Sequence, residues 1–288
     1  MEELLTAKEV AKLLRVNEKK VYELIRKEGI PSVRVSGKWL FPKKELMGWL
    51  KERVELGRDL LLVGSDDPLI MRFLGEYARK KDFQSVVFYS AIGSEAGLRC
   101  LREGKADGCC CHMLDVESGE YNIPFLKRSF PEGAVVAIVL WYRRQGLILK
   151  KGNPLGIKGL KDVQTKGARF VNRKPGSGTR LLVDWVLSQE GIRPEELRGY
   201  HEEASSHLEV ALRILLGEAD VGIGIEYVAH LFGLDFLPLR EERFDLVLSE
   251  KVWGTRKVKD FLDFILQSQK TLSLPGYSFR DLGKVILV

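Results

Sequence analysis

Leu98-Arg99-Cys100-Leu101-Arg102-Glu103-Gly104-Lys105-Ala106-Asp107-Gly108 and, later in the chain, Leu212-Arg213-Ile214-Leu215-Leu216-Gly217-Glu218-Ala219-Asp220-Val221-Gly222 read as two versions of one unit. In each, a helical stretch ends at glycine, and Ala-Asp then leads into an apolar run with the character of a strand. Each helix also follows a serine-bearing start, Ser90-Ala91-Ile92-Gly93-Ser94 in the first and Ser205-Ser206-His207 in the second. Repetition of the surroundings, and not only of the short Gly-x-Ala-Asp match, argues for two similar lobes.

The same alternation extends outward. Leu60-Leu61-Leu62-Val63-Gly64 reads as a buried strand, Ser65-Asp66-Asp67-Pro68 opens a helix, and Ser85-Val86-Val87-Phe88-Tyr89 is a second strand. Alternating strands and helices predict an α/β domain with a mainly parallel sheet. Between the two repeats lies a third polar helix start, Asn172-Arg173-Lys174-Pro175-Gly176-Ser177-Gly178-Thr179-Arg180, after the strand Ala168–Val171 and before the helix Leu181–Val186. Glycines allow a backbone to approach a ligand, free N–H groups at a helix N-terminus favour negative charge, and hydroxyls add neutral donors. The stretch is no P-loop, because Gly-x-x-x-x-Gly-Lys-Ser/Thr does not occur. Starts of this kind at strand C-termini gather where open α/β sheets bind ligands. The candidate ligand-binding residues are therefore Ser65, Asp66, Ser90, Gly93, Ser94, Arg173, Ser177, Gly178, Thr179, Arg180, Ser206 and His207. Arg173 and Arg180 are candidate charge partners, although Arg180 could instead run along its helix toward solvent.

The first sixty residues follow a different pattern. Thr6-Ala7-Lys8-Glu9 is a capping box, and Val10, Leu13 and Leu14 form one apolar stripe behind it. Asn17 can cap a second helix over Glu18–Glu28, with Val21, Leu24 and Ile25 inside and a basic outer face, stopped by Gly29 and Pro31. Val33 to Phe41 predicts a β-hairpin turning at Ser36-Gly37, and Pro42 begins a third helix with Leu46, Trp49 and Leu50 inside. The charge agrees with this division. Residues 1–58 carry 14 Lys and Arg against nine Glu, while the remainder is almost neutral, with 32 basic and 31 acidic groups. A basic segment on a neutral body fits a phosphate-backbone binder attached to something else.

Helix-turn-helix, wing and helix, with Thr6-Ala7-Lys8-Glu9-Val10-Ala11 ahead of a Phe41-Pro42 helix start, resemble the excisionase and MerR-like DNA-binding domains. The resemblance implies that Asn17, Lys19, Lys20, Tyr22, Arg26 and Lys27 face a major groove and that Arg34, Lys38 and Trp39 form the wing contact. The long coiled-coil helix of MerR proteins is absent. The body resembles the periplasmic-binding-protein-like family related to molybdate-binding proteins. That likeness rests on Tyr121-Asn122-Ile123-Pro124-Phe125, Arg144-Gln145-Gly146-Leu147, Gly152-Asn153-Pro154, Phe170 through Arg180, and Leu234-Asp235-Phe236-Leu237-Pro238-Leu239. It implies an α/β fold of type II Venus-flytrap form with hinge strands near Val139–Trp141 and Asp235–Leu239. Ser206 stands where that family often has threonine, and it keeps the hydroxyl.

The expected organisation is a winged helix-turn-helix over 1–56 and a two-lobed binding domain over 57–288. Lobe 1 takes about 59–139 and 240–288, and lobe 2 about 140–239. The expected function is a cytoplasmic transcription regulator that binds double-stranded DNA and senses molybdate or tungstate as effector, and two heads on a palindrome would suit a homodimer. A small organic acid or pterin-like ligand is the alternative, with Tyr89, Tyr121 and Tyr227 as an apolar wall. A molybdenum-cofactor enzyme is the third reading. No cofactor, metal, catalytic residue or membrane partner is expected. His112, His201 and His207 lack a paired nucleophile, and Cys100 with Cys109-Cys110-Cys111 lacks the second ligand pair that a zinc site needs.

Overall fold

The computed structural model describes residues 3–56, 59–83 and 85–288, with backbone alone for 51–56. The chain divides into a unit of Met1–Asp59 with Thr255–Lys257 and a unit of Leu60–Gly254 with Val258–Val288. The expected boundary between 56 and 57 abuts residues 57 and 58, which lie outside the described residues.

The first unit runs β1 (Leu4–Thr6), α1 (Ala7–Leu14), α2 (Glu18–Glu28), β2 (Val33–Val35), β3 (Lys38–Pro42) and α3 (Lys43–Leu56). The capping box forms as read: the Glu9 amide donates to Thr6 Oγ1 at 3.3 Å, and Glu9 Oε2 accepts from the Thr6 amide at 2.7 Å. Asn17 Oδ1 accepts from the Lys20 amide at 2.8 Å and opens α2, while Gly29 closes it in the left-handed region. Ser36 and Gly37, at φ 48° and 81°, make the hairpin turn with two consecutive left-handed residues, which suits the twist of the flanking strands. A feature absent from the sequence reading is β1, which pairs antiparallel with β3 and makes the wing a three-stranded sheet. Val10, Val21, Phe41 and Leu46 are fully buried at its centre.

The second unit begins with β4 (Leu60–Gly64), α4 (Pro68–Lys80), β5 (Val87–Ser90), α5 (Ser94–Arg102), β6 (Gly108–Cys111), α6 (Ile123–Ser129) and β7 (Val135–Leu149). It continues through α7 (Leu160–Thr165), β8 (Phe170–Arg173), α8 (Gly178–Gln189), β9 (Glu203–Ala204), α9 (His207–Leu215), β10 (Val221–Ile225) and α10 (Glu226–Leu231). It ends with β11 (Asp235–Ser249), α11 (Arg256–Ser268), β12 (Tyr277–Ser278) and β13 (Val285–Leu287). One sheet is ordered β5-β4-β6-β11-β7-β10-β8-β9, with β12 and β13 also on β7.

The repeat has a structural reason. Asp107 Oδ2 accepts from the Leu61 amide at 2.9 Å, and Asp220 Oδ2 accepts from the Arg169 amide at 3.0 Å. The backbone amides of Asp107 and Asp220 return bonds to the carbonyls of Leu61 and Arg169, each at 2.8 Å. In both lobes the Ala-Asp pair thus locks the entry of one strand to that of its neighbour.

β7 and β11 are each 15 residues long and pair antiparallel along their length. Asp245–Leu248 of β11 pair with β6 in lobe 1, whereas Gln145–Leu149 of β7 pair with β10 in lobe 2. The crossing between lobes therefore falls at about residues 141–144 and 240–244. The second crossing lies beyond the expected Asp235–Leu239, of which Asp235 to Pro238 pair with β7 inside lobe 2. Stacked Trp141 and Phe244, with ring centroids 5.5 Å apart, anchor the lobe 1 core beside the crossing. Cys109, Cys110 and Cys111 are small buried residues of β6. Among the described residues no group of three or more His, Cys, Asp or Glu could hold a metal, and no helix is long and apolar enough to cross a membrane.

Candidate functional site

The ends of β4, β5, β6 and β8 and the starts of α8 and α9 meet between the lobes. They enclose a cavity of about 10 Å³, close to the space one water needs. Ser65, Asp66, Ala91, Gly93, His112, Arg173, Lys174, Ser177, Thr179, Ser205 and His207 line it. Seven of these are candidates from the sequence: Ser65, Asp66, Gly93, Arg173, Ser177, Thr179 and His207.

Arg173 sets the electrostatics. It is 3% exposed, and its Nε and Nη2 donate to the carbonyls of Ala204 and Ser205 at 3.2 and 2.9 Å. Nη1 has no hydrogen-bond partner, and Asp66 Oδ2, at 3.8 Å, is the nearest carboxylate among the described residues. Burial lowers the guanidinium pKa to about 10, with Asp66 opposing that shift. It remains a cation at neutral pH, buried without a counter-ion in contact. His207, 1% exposed, is neutral because burial, and then the charges of Arg173 and Arg143, push its pKa well down; its Nδ1 is unpartnered.

The hydroxyls are arranged around this cation. Ser65 and Ser94 share a 2.5 Å hydrogen bond, and Ser94 Oγ also accepts from the His112 amide at 3.3 Å. Ser177 caps α8 by accepting from the Arg180 amide at 3.2 Å. Thr179 Oγ1 accepts from Gln145 Nε2 at 2.9 Å, which leaves its proton available to a ligand. The other candidates do not line the cavity. Ser90 is exposed at the end of β5, and Ser206 caps α9 through the Glu209 amide at 3.0 Å. Arg180 is held away by Asp184 at 3.1 Å and by its stack on Tyr200 at 4.0 Å.

Gly178 is a contact between lobes: a Cβ there would stand 2.3 Å from the His112 carbonyl oxygen. Gly178→Ala should therefore wedge the lobes apart and weaken ligand affinity roughly 10-fold or more, because only the closed state gathers both lobes' donors. The same wedge breaks contacts between the lobes in the ligand-free protein, so its melting temperature should also fall. Isothermal titration beside thermal unfolding checks both halves; unchanged affinity would remove Gly178 from closure.

Beneath the cavity lies a network that the sequence did not disclose. Arg143, on the crossing stretch of β7, bonds Asp67 Oδ2 at 2.6 Å and the Asp66 carbonyl at 3.1 Å, and it pairs with Glu242 of β11. Tyr277 Oη donates to Asp67 at 2.9 Å. His112 Nδ1 lies 2.6 Å from Glu242 Oε2. Burial pushes the pKa of Glu242 up, but Arg143 and His112 outweigh it and hold the carboxyl below its ordinary range. The one available signal was a charged pair, Arg143-Arg144, interrupting an apolar run. His112, Lys174, Ser205 and Ala91 were also outside the candidate set, although Lys174 and Ser205 adjoin members of it. Tyr89, Tyr121 and Tyr227 do not line the cavity. Tyr89 Oη bonds the Ser65 carbonyl at 2.6 Å, Tyr121 packs with Leu114 and Leu182, and Tyr227 packs edge-on to Tyr277.

On the first unit, Lys19, Tyr22, Ile25, Arg26 and Trp39 line a groove of about 530 Å³ between α2 and the wing. Lys20 and Lys27 both pair with Glu23, at 3.3 and 3.1 Å, so part of their charge is answered internally. Asn17 spends its side-chain oxygen on the helix cap. Arg34 lies over the Trp39 ring at 5.9 Å, and Lys38 is exposed at the start of β3.

Comparison with known proteins agrees with this architecture. YvgK of Bacillus subtilis (strain 168), a protein described as uncharacterized, is 31% identical over 301 residues, covering 98% of this chain and 97% of its own. A phosphate ABC transporter substrate-binding protein from Clostridium perfringens, solved with bound phosphate, superposes with a TM-score of 0.58 at 19% identity, covering 74% of this chain and 96% of that one. The regulatory domain of MetR, a LysR family regulator from N. meningitidis, gives 0.55 at 12% identity over 76% and 97%. Residues 4–54 match a helix-turn-helix domain family. Because residues 75–266 match the PBP superfamily domain, the chain belongs to the PBP superfamily, here carrying an N-terminal helix-turn-helix domain.

Proposed function

We propose that this chain is a ligand-responsive, DNA-binding transcription regulator of the cytoplasm, whose cleft senses a small oxyanion, molybdate or tungstate first. The observation that carries the reading is Arg173, a buried cation with an unpartnered Nη1 at the edge of a cavity lined by hydroxyls. Burying a charge without a partner costs several kcal/mol, and an anionic ligand would offset that cost. A lining of hydroxyls, two imidazoles and the Arg173 cation, without Phe, Tyr or Trp, favours an inorganic ion over an organic acid or pterin. The chain then acts as a sensor and not as a catalyst, and two heads on a palindromic operator call for a homodimer.

Thermal unfolding with molybdate, tungstate, phosphate, sulfate and small carboxylates tests the ligand. An anion at 100 times its Kd should stabilise the fold by about 2.7 kcal/mol. A response to molybdate or tungstate alone supports the reading, whereas a response to carboxylates alone replaces the oxyanion with an organic ligand.

The DNA contact is tested on α2. Lys19→Ala with Arg26→Ala should weaken duplex binding at least ~10-fold and flatten the slope of log K against log salt by about one to two units. An unchanged slope would take this helix face out of the DNA interface.

A further inference from the structure

Asp66, from lobe 1, places its carboxylate where an anion would sit in lobe 2. Its Oδ2 accepts from the backbone amide of His207, the first residue of the nine-residue helix α9, at 2.7 Å. The same oxygen lies 3.8 Å from the unpartnered Nη1 of Arg173. A helix N-terminus carries partial positive charge and free N–H groups, so helix and guanidinium together form one anion-attracting corner. The Asp66 backbone is itself held from the hinge, where Arg143 Nη1 bonds its carbonyl at 3.1 Å. A second bridge runs beside it, the Glu95 amide donating to the Gly176 carbonyl at 3.2 Å.

We propose that Asp66 is an affinity- and specificity-determining residue that acts as an internal competitor: its carboxylate holds the lobes together in place of the ligand, and an incoming oxyanion must displace it. The proposal rests on the oxyanion reading of the same cavity. Two consequences separate Asp66 from an ordinary ligand-contacting residue. Removing its charge should loosen the ligand-free cleft. It should also tighten binding of a fully ionised oxyanion, because both the competitor and a like charge are gone. An acceptor that the ligand needs would behave in the opposite way.

The experiment uses the full chain with Asp66→Asn, which keeps the shape and removes the charge, and Asp66→Ala, which also removes the acceptor. Spin labels on cysteines replacing Arg102 in lobe 1 and Glu190 in lobe 2, in a Cys100→Ser background, report the distance between lobes without any anion. The expected result is a longer or broader distance distribution in both variants, more so for Asp66→Ala, together with molybdate affinity raised about 10-fold or more in titration calorimetry. Distances unchanged in both variants, or weaker molybdate binding, would overturn the proposal. If neither molybdate, tungstate nor phosphate binds any of the three proteins, the oxyanion reading falls, and the distance measurement alone decides whether Asp66 bridges the lobes.

Discussion

Arg173→Met is expected to lower oxyanion affinity by at least ~30-fold, since truncating one partner of a desolvated charge pair costs roughly 2–5 kcal/mol. Methionine keeps much of the volume and removes the charge. In the ligand-free protein the guanidinium donates to two backbone carbonyls and meets the Asp66 carboxylate only at 3.8 Å, so its removal gives up little ion pairing. Burying an unpaired cation is itself unfavourable, and the ligand-free stability should stay within about 1 kcal/mol of the parent or rise. Arg173→Lys should recover part of the affinity as a point charge without the planar fork. Calorimetry and urea unfolding on the same samples read both effects. Full oxyanion affinity in Arg173→Met would eliminate Arg173 as the anion partner.

The opposite balance holds at the hinge. Arg143→Met should cost about 3–5 kcal/mol of stability, because it strands two buried carboxylates. Asp67 is fully buried and Glu242 is 1% exposed, and both lie against the Arg143 guanidinium. Phe244, whose ring lies 4.6 Å from that guanidinium, would also lose its cation. Asp67→Asn still caps α4 through the Leu69 and Ile70 amides, bonds that the parent makes at 2.7 and 3.0 Å. The triple variant Asp67→Asn/Arg143→Met/Glu242→Gln should therefore recover most of the loss, because no buried charge is left uncompensated. The urea midpoints of the two variants and the parent provide the check. A small loss in Arg143→Met, under about 1 kcal/mol, would show that the network is not what holds the crossing strands.

The contrast between these two arginines explains how much of the site was legible. Arg173 belongs to a contiguous run, Asn172 to Arg180, whose glycines and hydroxyls announce a helix start that faces a ligand. Arg143 belongs to a short polar break, Arg143-Arg144-Gln145, between two apolar runs. Its partners Asp67, Glu242 and Tyr277 come from three distant segments, joined because β7 and β11 cross between the lobes together. No local pattern encodes a meeting of that kind. Ser90, Ser206 and Arg180 share the composition of their neighbours, yet they point elsewhere once the strand ends are set in space.

The sequence by itself determined the division into a basic head and a near-neutral two-lobed body. It also determined the capped helices of the head, the Ser36-Gly37 turn and the repeated Ala-Asp unit. Each of these follows from contacts between residues close in the chain or from a periodicity that one segment carries alone. Only the tertiary structure decided which hydroxyls reach the cleft, where the strands cross between lobes, and that Asp66 of one lobe caps a helix of the other. Those outcomes depend on long-range packing, in which a residue's partner is chosen by the meeting of elements and not by its neighbours in sequence.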